Sequence, residues 1–201
     1  MKKALFLITI LTVAVFSTAC INNMAVQELN NKALDYMKKG DYENAISRFK
    51  SSADLDGSIF ETQYNLAVAY TENEDYAEAI ETFEKAIAIK NDYPALYYSM
   101  GVMYENYAKD LFAGNTKEQK EALEQSEDEE ERTNDDGEYK LSDAEMQDVK
   151  KYYNESVSAY SKYLELSPTA TDASEVNAKI DEINAKLEVL DSESESGVAT
   201  N

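Results

Sequence analysis

An internal repeat of 34 residues constrains the fold of this chain more than any other feature of its sequence. The segment Gly40–Ile46 recurs as Glu74–Ile80, with an Asp-Tyr pair and an Ala-Ile pair in the same places. A further step of 34 residues from Ala67 reaches Gly101, again a small residue followed three places later by Tyr. Self-similarity at this period indicates stacked supersecondary units, because each unit has an apolar face that it cannot bury alone.

The repeated pattern resembles the tetratricopeptide repeat, whose unit is a helix, a tight turn and an antiparallel second helix. The resemblance implies an all-α fold, an α-solenoid of about three helix hairpins. Repeats 1 and 2 and the first helix of repeat 3 would occupy residues 26–107, and the second helix of repeat 3 would occupy residues 151–168. The small residues expected where helices cross are Ala33, Ala67 and Gly101 in the first helices, and Ala45 and Ala79 in the second helices.

Residues 108–150 interrupt the repeat, and we interpret them as an acidic insertion in the turn of the third unit. From Glu118 to Asp148 there are fourteen acidic residues against three basic ones. Like charges one helical turn apart disfavour a helix, so the insertion is expected to be partly disordered.

A capping-box pattern marks the return of the repeat. Ser142 and Glu145 have the spacing of such a box, and apolar residues follow at intervals of three and four. This pattern predicts a single helix from about residue 143 to residue 166, in which Ser156 and Tyr160 take the small and the aromatic position of the third repeat.

Residues 169–190 are predicted to form a C-terminal capping helix, because a repeat array needs a last element to cover its exposed apolar side. A second capping-box pattern at Asp172 and Glu175 precedes one apolar stripe. The stripe consists of Val176, Ile180, Ile183, Leu187 and Leu190. A coiled-coil dimer through the same stripe is the alternative to a monomer. Residues 191–201, rich in Ser and Glu, are expected to be a disordered tail.

The N-terminus has the layout of a secretory signal. Lys2 and Lys3 precede thirteen mostly apolar residues, and small residues then lead to Cys20. This layout resembles a bacterial lipoprotein signal, which implies removal of residues 1–19, lipidation of Cys20 and a short linker over residues 20–25. Ser17 departs from the branched apolar residue usual at its position. An uncleaved anchor and a secreted protein cut elsewhere remain alternatives. The lipidated form would be held at a membrane of the bacterial cell envelope.

Composition excludes several classes of function. A net charge of -21 disfavours nucleic-acid binding, which depends on clustered Lys and Arg. The chain has no His and a single Cys, so it lacks the commonest general base and the ligands of a thiolate zinc site. We find no catalytic residues, no cofactor motif and no metal site to propose, and we do not expect an enzyme.

A weak similarity to a calcium loop does not change that expectation. Asn134, Asp136, Gly137 and Asp143 alternate oxygen ligands around a turn Gly, but Arg132 stands where the first carboxylate ligand belongs. A solvated acidic loop is the simpler interpretation.

If the resemblance holds, partners would bind in a concave groove lined by the first helices of the repeats. The candidate groove residues are Asn30, Asn31, Leu34, Tyr64, Asn65, Val68, Tyr98 and Val102. This mixed apolar and amide surface suits an extended peptide or a helix, and it lacks the Lys and Arg of the family's carboxylate clamp. The expected function is therefore a membrane-anchored adaptor or scaffold for protein partners. The alternative is a cation or solute binder that uses the acidic insertion.

Overall fold

The structure is a computed structural model, and it describes residues 23–125 and 139–198. These residues form eight helices: α1 (23–37), α2 (Tyr42–Leu55), α3 (Phe60–Glu72), α4 (Tyr76–Ile89), α5 (Pro94–Phe112), α6 (Lys117–Gln125), α7 (Asp143–Leu166) and α8 (Ala173–Val198). The prediction of an all-α fold built from helix hairpins is confirmed. Within the two described stretches, no helix combines the length and the apolar character needed to cross a membrane.

The helices belong to two compact units. The first comprises the described parts of Met1–Asn73 together with Glu81–Ile89, and the second comprises Glu74–Ile80 together with the described parts of Lys90–Asn201. The boundary between the units therefore falls within α4.

In the first unit, the turn between α1 and α2 depends on a glycine. Gly40 has a φ of 72°, in the left-handed region that residues with a Cβ rarely adopt. The N–H of Asp41 donates to the Tyr36 carbonyl (3.0 Å) and the N–H of Gly40 donates to the Met37 carbonyl (3.0 Å). These two bonds form a Schellman motif, and the Asp41 carboxylate then caps α2 by accepting from the Asn44 N–H (3.3 Å).

Small residues lie at the centre of the first unit. Ala33, Ala45 and Ala67 are completely buried, as the repeat pattern predicts. Phe49 and Phe83 are also completely buried and supply most of the apolar volume around them. The small positions inferred from the repeat are thus core positions of this unit.

In the second unit, α5 pairs with α7 across the insertion. A Cβ added at Gly101 would lie 2.6 Å from ring atoms of Tyr160, which is too close for any side chain. The Ser156 hydroxyl donates to the Gly101 carbonyl (2.8 Å), and both Ser156 and Tyr160 are completely buried. The predicted roles of these three residues are confirmed, and α7 is the second helix of the third hairpin.

The insertion is more ordered at its start than the sequence suggested. We placed the end of the first helix of repeat 3 at residue 107, but α5 continues to Phe112, because Ala108 and Leu111 are buried against the core. The helix α6 was not predicted, although Thr116 and Gln119 form a capping box at its start. The Gln119 N–H donates to the Thr116 hydroxyl (3.2 Å), and the Thr116 N–H donates to Oε1 of Gln119 (3.3 Å).

The two C-terminal helices follow the predicted pattern. α7 begins and ends where expected, and the capping box of Ser142 and Glu145 is present at its start. In α8, Val176, Ile183 and Leu190 are buried, so its apolar stripe is used within the chain as a cap. α8 continues to Val198, whereas we predicted a disordered tail from residue 191. At the start of this extension the Asp191 carboxylate pairs with Lys150 of α7 (2.7 Å).

Candidate functional site

The candidate groove residues of the first unit lie on α1 and α3, which are joined by a side-chain hydrogen bond. Nδ2 of Asn30 donates to the Thr62 hydroxyl (2.8 Å), and Thr62 is completely buried. Oδ1 of Asn30 is buried and accepts no hydrogen bond from the described residues. Asn30 therefore holds the two helices together and sits beneath the surface that they form.

The neighbouring side chains on these helices are more accessible. Asn31 and Leu34 are exposed on α1, and Asn65 and Val68 are half-buried on α3. An apolar side chain beside an amide on each helix is a combination that can hold a peptide, because the amide bonds the main chain while the aliphatic groups contact side chains. These four residues remain candidates for a binding surface.

Tyr64 adds an aromatic ring to the accessible side chains of α3. Its ring is stacked on Phe60 (centroids 5.9 Å apart, planes 6° apart) and tilted against Phe83 (6.5 Å, 59°). Tyr64 is half-buried, so one part of the ring packs inside the unit and the rest faces outwards. Packing of this kind fixes the ring in one orientation and lowers the entropy lost when a partner contacts it.

Tyr98 and Val102 lie on α5 in the second unit, where they contribute to packing. The Tyr98 ring meets Tyr160 edge-on (5.8 Å, 61°) and Tyr163 in the same way (5.4 Å, 65°). Val102 packs against the same apolar core, and both residues are half-buried. Much of their surface is thus engaged with α7, and the part that remains accessible is smaller than the sequence suggested.

A column of stacked tyrosines in the second unit was not predicted. Tyr107 lies between Tyr76 (4.7 Å, 13°) and Tyr152 (4.2 Å, 27°), and Tyr152 also stacks on Tyr104 (6.1 Å, 15°). Burial, and then the neighbouring Tyr152, raise the pKa of Tyr107, so its phenol stays protonated. The spacing of Tyr104 and Tyr107 on one helical face was the only available signal, since the partner rings come from distant parts of the sequence.

Glu105 is a buried carboxylate at the interface of α5 and α7. The Tyr160 hydroxyl donates to it (2.9 Å), Lys109 pairs with it, and Lys179 lies 3.9 Å away. Burial alone would raise the pKa of Glu105, but the hydrogen bonds from Lys109 and Tyr160 outweigh burial and lower it. An ionised carboxylate held by these partners joins α5 to α7.

A second polar cluster closes the base of the insertion. Oε1 of Glu145 accepts from the Tyr139 hydroxyl (2.7 Å) and from Nε2 of Gln119 (3.0 Å), while Oε2 accepts from Ser142. Burial would raise the pKa of Glu145, but these hydrogen bonds together lower it to about 2. The cluster joins α6 to α7 on either side of residues 126–138.

The remaining candidate sites fall partly or wholly beyond the described residues. Cys20 and most of the calcium-like loop, including Arg132, Asn134, Asp136 and Gly137, lie outside them. In the part of the chain that the structure does describe, no three acidic or Cys side chains are grouped in a way that could hold a metal ion.

Comparisons with known proteins agree with this architecture. A family model described as tetratricopeptide repeat matches residues 30–94. The Arabidopsis OM64 TPR domain superposes with a TM-score of 0.54 at 15% identity, covering 80% of this chain and 98% of that one. The second TPR domain of human RPAP3, solved in complex with the HSP70 peptide SGPTIEEVD, superposes with a TM-score of 0.52 at 18% identity, with the same coverage of 80% and 98%.

No curated protein matches the sequence closely enough to count as a relative. The two structural likenesses therefore establish the fold, and the family model identifies its repeats. Together with the 34-residue period and the buried small residues at its helix crossings, they show that residues 30–94 are tetratricopeptide repeats and that the chain has the fold of tetratricopeptide repeat domains.

Proposed function

We propose that this chain is a non-enzymatic adaptor that binds a peptide or helix of a partner protein through the accessible side chains of α1 and α3. The observation that supports the proposal is that two hydrogen-bonded helices carry accessible amide groups, aliphatic groups and an oriented ring, at Asn31, Leu34, Tyr64, Asn65 and Val68. Helices of the tetratricopeptide repeat family commonly present such surfaces to protein partners, and no fully formed catalytic group is found among the residues that the structure describes.

The chemistry of the partner follows from charge. The peptide bound by the RPAP3 domain, SGPTIEEVD, carries three acidic residues. The present chain has a net charge of -21 and no Lys or Arg among its candidate groove residues, so an acidic peptide would be repelled. We therefore expect the partner segment to be neutral or basic.

Site-specific photocrosslinking in the native cell tests this proposal. A photoreactive amino acid is placed at Leu34 and at Val68, and in matched controls at Arg48 and Glu84, which are exposed on α2 and α4. We expect one shared partner at the two candidate positions and none of it at the controls. Equal capture at all four positions, or no capture at the first two, would contradict the proposal.

A peptide from the captured partner then measures the contribution of the surface. Tyr64→Ala should weaken binding about tenfold, because it removes a pre-oriented aromatic contact of the size typical of an interface anchor. The same change should leave the helical content unchanged in circular dichroism, since the ring is only half-buried.

The proposal includes a membrane tether. A signal layout that ends at Cys20 supports lipidation of that residue, which would hold the adaptor at a membrane of the bacterial cell envelope. Metabolic labelling with a fatty acid should mark the wild-type chain and fail to mark Cys20→Ala. Labelling of both chains, or of neither, would refute the tether and leave the binding proposal intact.

A further inference from the structure

The second unit contains a groove that the proposed function does not use. It lies between the end of α5, the first half of α7 and the middle of α8, and has a volume of about 470 Å³. It is lined by Phe112, Tyr153, Glu182, Ala185, Lys186, Val189 and Leu190. Its size is within the range of ligand-binding clefts in proteins.

Exposed apolar side chains of the second unit lie at this groove. Phe112 is 46% exposed and Val189 is 54% exposed, and they are the only large apolar side chains with high exposure in the described part of the second unit. Both line this groove. Exposed apolar residues that converge on one cleft mark an interaction site more strongly than scattered ones.

The shape of the groove suits a helix. The lining residues of α8 lie at positions 182, 185, 186, 189 and 190, which form one face over about two helical turns. A partner helix places its own anchors at intervals of three and four residues, so two successive apolar side chains would match the length of this face.

A polar group lies at the floor of the groove. Tyr153 is only 5% exposed, and it lines the groove from α7. Burial raises the pKa of this phenol, Lys109 acts in the opposite direction, and Glu105 and Glu182 raise it further. The phenol therefore stays neutral, and its side chain adds no charge to the groove.

Charge selects among possible occupants. Glu182 and Lys186, the two charged residues of the lining, form an ion pair (2.7 Å), and Asp191, which follows Leu190 in the chain, pairs with Lys150 (2.7 Å). A second copy of the chain would bring a further net charge of -21 towards this surface, which opposes self-association. A positively charged partner is attracted by the same field.

We propose that this groove binds a basic amphipathic helix of a partner protein, which inserts apolar anchors between Phe112 and Val189. This interaction goes beyond the proposed function, since it uses α5, α7 and α8 and none of the candidate residues on α1 and α3.

The test uses three synthetic helical peptides of about four turns and the full chain. The first peptide has a Leu stripe and Lys on its polar face, the second has the same stripe with Glu, and the third has Lys with Ser in place of Leu. Fluorescence anisotropy should show the Leu/Lys peptide binding at least about tenfold more tightly than either of the others.

Two matched variants locate the site. Ala185→Phe fills the groove, and Ala178→Phe adds the same side chain at an exposed position of α8 that does not line it. We expect Ala185→Phe to weaken binding of the Leu/Lys peptide about tenfold or more, while Ala178→Phe leaves it unchanged. Circular dichroism of each variant verifies that the helices are retained.

Several outcomes would overturn the proposal. Equal binding of the Ser/Lys peptide would show a purely electrostatic attraction, and equal binding by Ala185→Phe would place the peptide elsewhere. No binding of the Leu/Lys peptide, or a dimer in sedimentation that Ala185→Phe dissociates, would show that the groove has a different occupant. Each of these results is independent of the photocrosslinking test at Leu34 and Val68.

Discussion

The two units bring their helices together by different means. In the first unit the small residues are alanines, and Phe49 and Phe83 fill the core around them. In the second unit the small residue is Gly101, because the Tyr160 ring lies where a Cβ would be, and a buried carboxylate and several phenols complete the interface. The comparison shows that the repeat period determines where helices meet, whereas the residue opposite the small position determines what kind of core they share.

The largest expected effect comes from removing Tyr160. Tyr160→Ala should destabilise the protein by about 4 kcal/mol, because it opens a large cavity beside Gly101 and removes a hydrogen bond to Glu105. Tyr160→Phe keeps the volume and should cost only about 1 kcal/mol. Urea unfolding gives both values.

Hydrogen exchange on the same variants tests whether the two units differ as described. Loss of protection in Tyr160→Ala should concentrate in α5 and α7, with α1 to α3 less affected, as expected for separate cooperative units. If all helices lost protection equally, the distinction between the units would have no energetic basis.

Two turn glycines offer the second comparison. Gly40 in the first unit and Gly114 in the second both have positive φ, 72° and 69°. Open space surrounds Gly40, whereas a Cβ on Gly114 would lie 2.3 Å from the Tyr139 ring. Gly40→Ala should cost about 1 kcal/mol from backbone strain alone, and Gly114→Ala should cost about 3 kcal/mol because overpacking is added.

A double-mutant cycle separates those two causes. In the background of Tyr139→Ala, the cost of Gly114→Ala should fall to that of Gly40→Ala, because only the backbone strain remains. An unchanged cost would mean that the Tyr139 ring does not limit the turn.

The repeat pattern predicted much of this structure because its information is local. The buried alanines, the capping box at Ser142 and the extent of α7 all follow from spacing within one segment. The capping box of Thr116 and Gln119 has the same kind of local spacing, but our interpretation of the insertion did not include it. Local patterns could therefore have revealed α6 as well.

Other features depend on which distant residues meet, and sequence spacing does not contain that information. Tyr107 and Tyr152 stack across an insertion, and their contact depends on the rotation of α5 and α7 about their axes. The packing of Tyr98 also depends on distant residues. The repeat register placed Tyr98 among the groove residues, but its ring packs on Tyr160 and Tyr163. The groove at Phe112 needs three helices to be in place before it exists.

A smaller effect tests the turn of the second repeat. Glu74 occupies the repeat position of Gly40 and has a φ of 61°, which is strained for a residue with a Cβ. Glu74→Gly should stabilise the protein by about 1 kcal/mol, which thermal unfolding measures. Glu74→Ala is the control, since it removes the charge and keeps the strain. If Glu74→Ala stabilised the protein as much as Glu74→Gly, the effect would come from the lost charge and not from relief of backbone strain.

The smallest predicted effect concerns acid stability at the base of the insertion. The pKa of Glu145 is about 2 in the folded chain, below its usual value of 4.5, so ionised Glu145 stabilises the fold above pH ~4.5. That stabilisation is lost as the pH falls from about 4.5 to 2. Glu145→Gln should cost about 1 kcal/mol at pH 7, since solvent screens the partly exposed site, and the difference from wild type should shrink towards pH 2.

Ser142→Ala provides the control for that pH dependence, because it removes the hydroxyl that donates to Oε2 of Glu145 (2.6 Å). In this background Glu145→Gln should have a smaller effect at pH 7 and a flatter dependence on pH, because the folded pKa of Glu145 is closer to its usual value. A difference in free energy of unfolding between wild type and Glu145→Gln that stayed constant from pH 7 to pH 2 would mean that the charge of the carboxylate does not stabilise the fold. The cluster would then hold α6 against α7 through Tyr139 and Gln119 by packing alone.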